Sequence, residues 1–230
     1  MSNYIKFNKN PVTDYLTDNW GKILDEFLAQ RKSKMGHDLL NVQVESNKLN
    51  AITFHEKKPL YEGNIIAAAL YLKHEILSEA EIKQLKWKTD EKERWWLDNI
   101  EGMPTLEKWI NEYKEHLASV VFYAAQPGAI INHHYGVDSS YPNIRLHLCL
   151  TSDPECWFDI ENERHSWIKG DLFGFDDASF FHGIKHNGTT PRIILVIDIK
   201  KTLLKEHAIN WPCRPFVPRV ERTPPDILDW

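Results

Sequence analysis

A mainly β domain preceded by helices is the fold class the sequence predicts, and three observations predict it. From Ser119 to Lys200 the chain divides into short runs of strand character: "SVVFYAA", "AIINHH", "IRLHLCLT", "CWFDIE", "HSWIKGDLFGF", "SFFHGIKH" and "PRIILVIDIKK". Turn-forming pieces separate several of them, among them "QPG", "GVDSSYPN", "SDPE", "NER" and "NGTT". Upstream, apolar residues recur at helical intervals instead. Short strands joined by tight turns suggest a sandwich or a barrel. The 230 residues suffice for one well-filled core, so residues 1–230 are expected to form a single domain.

Within it, residues 1 to about 118 are expected to be helical. In "PVTDYLTDNWGKILDEFLAQRKS" the residues Leu16, Trp20, Ile23, Leu24, Phe27 and Leu28 share one helix face. "SEAEIKQLKW" opens with a Ser followed three residues later by a Glu, a capping-box pattern. "MPTLEKWINEYKEHL" reads as another helix, with Pro104 near its start and Thr105 as cap. The β core is expected over about 119–200. The proline-rich tail, about 201–230, is expected to run as an arm over the surface.

Apolar residues make up 42% and charged residues 27%, which marks a soluble globular chain. The net charge is −5 and no basic block stands out, so a nucleic-acid partner is not expected. The start, "MSNYIKFNKN", has no apolar signal core, and the longest apolar run, "IIAAALYL", is too short to cross a bilayer. Neither a membrane partner nor export is expected. Cys149, Cys156 and Cys213 follow no metal-type spacing, and their odd number fits a reduced, cytoplasmic setting. Nothing here bears on the oligomeric state.

The histidines hold the chemical interest. His37, His55, His74, His116 and His207 lie in helical or loop contexts and read as surface residues. His134 ends a strand just before Tyr135-Gly136, and His182 ends "DDASFFHG", also before a glycine. Two neutral imidazoles at the mouth of a sandwich suit a borderline divalent ion such as iron(II). The plain alternative is a pair of hydrogen-bonded core histidines. His133 alternates with His134 and therefore faces the other way.

Arg192 begins the most apolar strand, ten residues after His182. A guanidinium on its inner face needs a carboxylate, either from a bound molecule or from Asp198 or Asp171. Arg145 and His147 alternate on "IRLHLCL" and share a face, where a second carboxylate could meet them. Trp157, Trp167, Phe173 and Phe175 are candidates for the pocket wall, with core packing as the plainer role.

These pieces, "PGAIINHHYG", "NIRLHLCL", "SWIKGDLFGFDDASFFHG" and "PRIILVIDI", resemble in order and spacing the aspartyl/asparaginyl β-hydroxylase family of iron(II)- and 2-oxoglutarate-dependent oxygenases. The resemblance implies a double-stranded β-helix, a jelly-roll or cupin-like core. It implies an iron(II)/2-oxoglutarate-dependent dioxygenase that consumes molecular oxygen. It implies His134 and His182 as iron ligands and Arg192 on the distal carboxylate of 2-oxoglutarate. Arg145 and His147 would stand near the carboxylate beside the keto group.

The chain departs from the pattern in places. Most enzymes of this chemistry carry a carboxylate two residues after the first histidine, where this chain has Gly136. The peptide-hydroxylating members resembled also have glycine there and leave the place to water. Asp138 could serve only if its loop folds back. Tyr123 stands where those members have a serine that helps bind 2-oxoglutarate, and Val121 where they have a substrate-binding lysine. The peptide-aspartate substrate therefore does not carry over. The expected activity is hydroxylation of an unactivated C–H in an amino-acid-like small molecule or a peptide side chain. Two alternatives stand beside it: C–H halogenation, with chloride at the place Gly136 leaves, and a non-catalytic ligand-binding sandwich, in which His134, His182 and Arg192 would be independent of one another.

Overall fold

A computed structural model of the chain describes residues 2–33, 42–45, 60–72, 95–96, 102–136, 143–212, 214, 217, 221 and 223–225. Two antiparallel sheets face one another. The larger has the strand order β1 (Val42–Glu45), β3 (Asn64–Leu72), β5 (Leu117–Ala125), β12 (Arg192–Lys200), β7 (Asn143–Cys149), β10 (Leu172–Phe175), with β4 (Trp95–Trp96) paired to β3. The smaller has the order β2 (Tyr61–Glu62), β6 (Ile130–His134), β11 (His182–His186), β8 (Cys156–Ile160), β9 (Glu163–His165). This is the double-stranded β-helix that the resemblance implies.

The central strand β12 shows why its sequence is apolar throughout. Ile193, Leu195, Ile197 and Ile199 point to the outer face of the larger sheet and pack with the helices. Arg192, Ile194 and Val196 point between the sheets. Both faces are covered, so period-2 alternation of polarity disappears.

The helices α1 (Pro11–Asp18), α2 (Trp20–Ser33) and α3 (Pro104–Tyr113) back that outer face. Leu16, Ile23 and Phe27 from the first two meet Leu106, Trp109 and Ile110 from the third over the sheet. Trp109 is fully buried, and its indole N–H donates to Val12 O at 2.9 Å. A buried aromatic of this kind contributes about 1.5–3 kcal/mol through the area it removes from water. Asn10 caps α1 by accepting from Thr13 N. The expected side-chain cap of α3 is not what forms. Met103 is its N-cap residue, and the backbone N–H of Thr105 donates to the Glu26 carboxylate of α2 at 3.1 Å. The orphan donors of a helix start need an acceptor, and here tertiary packing supplies it.

The helical expectation for residues 1–118 needs correction. "IIAAALYL" lies in strand β3, in register with β5 through Ile65↔Ala125 and Ala67↔Tyr123. A short apolar run has no period that distinguishes a strand from a buried helix. Gly63, at φ 74°, turns the chain just before it. The run "HSWIKGDLFGF" is not one strand: it holds the last residue of β9 and all of β10, with Gly170 at φ 89° turning the chain between them. The C-terminal arm begins as a short helix, α4 (Lys201–Leu204), and a 3-10 turn, Lys205–His207, followed by a bridge from Ala208 to Phe7. Burial of Leu204 ties that helix to the main core. The helix expected over "SEAEIKQLKW" lies outside the described residues, as do His37, His55, His74, Cys213 and Asp138. Among the described residues no helix is long and apolar enough to cross a membrane.

Candidate active site

The space between the sheets opens into a cavity, and every sequence-derived site residue lines it: Tyr123, His134, Arg145, His147, His182 and Arg192. His134 ends β6 and His182 begins β11, and the two are direct register partners. Their ring centroids lie 4.3 Å apart. His133, one residue earlier, sits on the opposite side of β6, stacked on Phe181 and with Nε2 3.5 Å from Asp159 Oδ2.

Backbone carbonyls fix the tautomer of the pair. His134 Nδ1 lies 2.8 Å from Asn132 O, and His182 Nδ1 lies 2.8 Å from Phe180 O. A carbonyl only accepts, so each Nδ1 carries a proton and Nε2 is the ring nitrogen left for a ligand or a second proton. Burial, reinforced by His182, pushes the His134 pKa down to about 3, so its imidazole is neutral.

Asp177 faces this pair. Its Oδ1 lies 3.2 Å from His182 Nε2 and accepts from Arg145 Nη1 at 2.6 Å. Its Oδ2 is buried without a hydrogen-bond partner among the described residues. Burial pushes its pKa up, but Arg145 and the two histidines outweigh burial and hold the carboxyl well below the usual range. His182 Nε2 facing an ionised carboxylate calls for a cation shared by the two, a proton or a metal ion. The donor set therefore fits a divalent metal held by His134 and His182, although no set of three or more His, Cys, Asp or Glu forms a metal site by itself among the described residues.

Asp177 also explains Gly136. A Cβ on Gly136 would collide with Asp177 Oδ2, and Gly136 N donates to Asp177 O at 2.9 Å. The loop before β11 thus brings a carboxylate into the space that a residue-136 side chain would use. Sequence reasoning missed it, although Asp177 stands in the quoted run "DDASFFHG".

Arg145 lines the cavity, but its guanidinium is already engaged. It grips Asp198 through Nε at 2.8 Å and Nη2 at 3.0 Å, besides its bond to Asp177. Ser119 Oγ completes the network by donating to Asp198 Oδ2 at 2.6 Å. Asp198 is therefore the partner of Arg145, not of Arg192. Asp171 accepts from Ile168 N instead. Arg192 is 4% exposed, and its Nη2 is buried without a hydrogen-bond partner among the described residues.

His147 Nδ1 is likewise buried and unpartnered, within a ring of Phe158, Phe173 and Phe175. Burial, then Arg192 and Arg145, hold its pKa well below the ordinary value, so it too is neutral. Burial raises the Tyr123 hydroxyl pKa, and the charges that act on it are Arg145, Asp198 and Asp177. Tyr61, from the edge strand β2, is a second phenol at the cavity that the sequence did not signal.

Ile65, Ile131, Ile184, Ile194 and Val196 make the apolar wall, joined by Phe158. The four aromatic candidates for the wall do not line the cavity. Trp157 lies under the Arg164 guanidinium, Trp167 stacks on Phe173 at 3.9 Å, and Phe173 and Phe175 belong to the core cluster behind Phe158.

Solved structures of small β proteins are similar to the chain. A protein described as a predicted oxalate decarboxylase from Thermotoga maritima aligns at 14% identity over 61% of this chain and 84% of its own, with a TM-score of 0.35. The cupin domain of Schizosaccharomyces pombe Cnp3 aligns at 14% identity over 37% of this chain and 57% of its own, with a TM-score of 0.31. A cupin-superfamily sugar phosphate isomerase from Silicibacter pomeroyi aligns at 18% identity over 36% of this chain and 50% of its own, with a TM-score of 0.30. No curated protein shows significant similarity to the chain. The family model described as aspartyl/asparaginyl beta-hydroxylase matches residues 17–202, which contain α2, α3, both sheets and the residues that line the cavity. The chain belongs to the aspartyl/asparaginyl beta-hydroxylase family.

Proposed function

We propose that the protein is an iron(II)/2-oxoglutarate-dependent dioxygenase that hydroxylates an unactivated C–H of an amino-acid-like small molecule or a peptide side chain. One observation carries this reading. The paired imidazoles His134 and His182, with Nδ1 committed to backbone carbonyls and Nε2 left for a ligand, share a cavity with the unpartnered guanidinium nitrogen of Arg192. A metal and a carboxylate-bearing molecule satisfy both at once. A non-catalytic sandwich would leave the three residues independent.

Iron(II) with 2-oxoglutarate and molecular oxygen supplies the C–H oxidation. The chain's residues bind, orient and exclude. His134 and His182 hold the metal from rigid strand ends. Arg192 supplies its Nη2 to the distal carboxylate of 2-oxoglutarate in a charge-assisted bond. His147, neutral and unpartnered at Nδ1, is available to the other end of the cosubstrate. Arg145 reaches the same region, but its guanidinium is committed to Asp177 and Asp198. Tyr123 and Tyr61 offer hydroxyl groups, and the isoleucine wall keeps water from the reacting C–H.

The test is incubation of the protein with iron(II), 2-oxoglutarate and an amino-acid and short-peptide panel, following succinate and product mass. The expected result is succinate formation with a product heavier by one oxygen atom, absent in His134→Ala. Succinate formation that persists in both His134→Ala and His182→Ala sinks the reading.

A further inference from the structure

Glu161 is the only residue other than glycine at positive φ among the described residues, at 57°. It sits in the turn between β8 and β9, a place where glycine or asparagine would relieve the backbone. It is also buried, at 6% exposure. Strain of this kind persists where the surroundings impose it, and it often marks a functional site.

The contacts of Glu161 show what imposes it. Its backbone N–H donates to Phe181 O at 2.7 Å, and its Oε1 accepts from Phe181 N at 3.0 Å. The N–H of Phe181 and the carbonyl of Phe180 belong to one peptide plane. That carbonyl accepts the Nδ1 proton of His182 at 2.8 Å. One rigid amide therefore joins the Glu161 carboxylate to the imidazole of His182. On the far side, Arg214 Nη1 donates to the same Oε1 at 2.9 Å, while its guanidinium lies over the Phe180 ring, 4.3 Å from the centroid. Arg214 comes from the C-terminal arm, beyond the residues that match the family model.

We infer that Glu161 is a positioning residue for the metal ligand His182, and that Arg214 locks it from the C-terminal arm; this rests on the two-histidine metal reading above. A carboxylate on the amide N–H polarises the amide and makes its carbonyl a better acceptor. The Nδ1 bond of His182 strengthens, the ring is fixed, and Nε2 becomes a better ligand, as outer groups do at other metal sites. In this left-handed conformation the N–H and the carboxylate of Glu161 both reach Phe181.

The test uses the full chain and Co(II), a spectroscopic stand-in for iron(II). Co(II) affinity and thermal stability are measured for E161A, E161G, E161Q, R214A and R214K. E161G removes the backbone strain, so it should stay folded with a Tm near wild type. Its Co(II) affinity should still fall about tenfold or more, as in E161A. E161Q keeps an acceptor oxygen and should retain much of the affinity; R214A should lose part of it and R214K regain some. Wild-type affinity in folded E161A and E161G overturns the inference. So does an affinity loss that only tracks a fall in Tm. His134→Ala and His182→Ala run alongside. If both abolish Co(II) binding while E161A and E161G do not, the bracket alone fails. If neither changes it, the two-histidine reading fails and the bracket with it.

Discussion

Asp177 occupies the space that a side chain on Gly136 would need: a Cβ there meets Asp177 Oδ2, and the two residues also share a backbone hydrogen bond. Asp177, from another part of the chain, thus sets a carboxylate where a side chain on residue 136 would stand. A swap follows. Gly136→Asp alone should disrupt the site and weaken metal binding, because Asp177 is buried and held by Arg145 and cannot yield cheaply. Asp177→Ala alone should cost about 1–3 kcal/mol of stability through its lost hydrogen bonds. The double variant Gly136→Asp/Asp177→Ala should bind Co(II) more tightly than Gly136→Asp. Titration of the three proteins checks the order.

The same relationship bears on chloride. A buried anion already stands at the place halogenation would require for chloride, and like charges in a closed site repel strongly. Product mass should therefore increase by oxygen alone, with or without chloride in the buffer. A chlorine isotope pattern in the wild-type product would contradict this.

Arg192→Ala should raise the dissociation constant for 2-oxoglutarate steeply, by an amount equivalent to about 2–5 kcal/mol, the cost of removing one partner of a buried charge pair. Arg192→Lys should recover only part, since a point charge lacks the planar fork. Calorimetric titration of 2-oxoglutarate distinguishes the two. Unchanged binding in Arg192→Ala would make the residue structural.

Asp153, which does not line the cavity, sets a pH dependence of stability. Hydrogen bonds from the backbone N–H groups of Thr190, Glu155 and Thr189 hold its carboxyl well below the usual carboxylate range. The unfolded chain therefore takes up this proton before the folded one does. The stabilisation is complete above the unfolded carboxyl pKa, about 4, and is lost as pH falls below it. The Tm difference between wild type and Asp153→Asn should shrink from pH 7 to pH 3. A difference that widens on acidification would refute the assignment.

Much of this site was legible because strand geometry is periodic. His134 and His182 could be read as strand-end residues, Arg145 and His147 as neighbours on one face, and His133 as turned away. The partner of Asp198 was not legible, because it depends on strand register. Arg192 and Asp198 share a strand face six residues apart, about 20 Å at strand rise. Asp198 instead lies directly across from Arg145 in the register of β12 and β7. Asp177 and Tyr61 escaped for another reason. Each reaches the cavity from a loop or a two-residue edge strand, where no period constrains direction. The run "IIAAALYL" was ambiguous in its own right, and only pairing with β5 resolves it as a strand.

The two faces of β12 have a consequence for how such a protein could change its substrate. Ile194 and Val196 touch the cavity, while Ile193, Leu195 and Ile197 touch only the helical side. Adjacent codons thus answer to different selection pressures. A library confined to positions 194 and 196 would explore new substrates against a constant scaffold. One confined to 193, 195 and 197 would alter durability and leave the choice of substrate as it was.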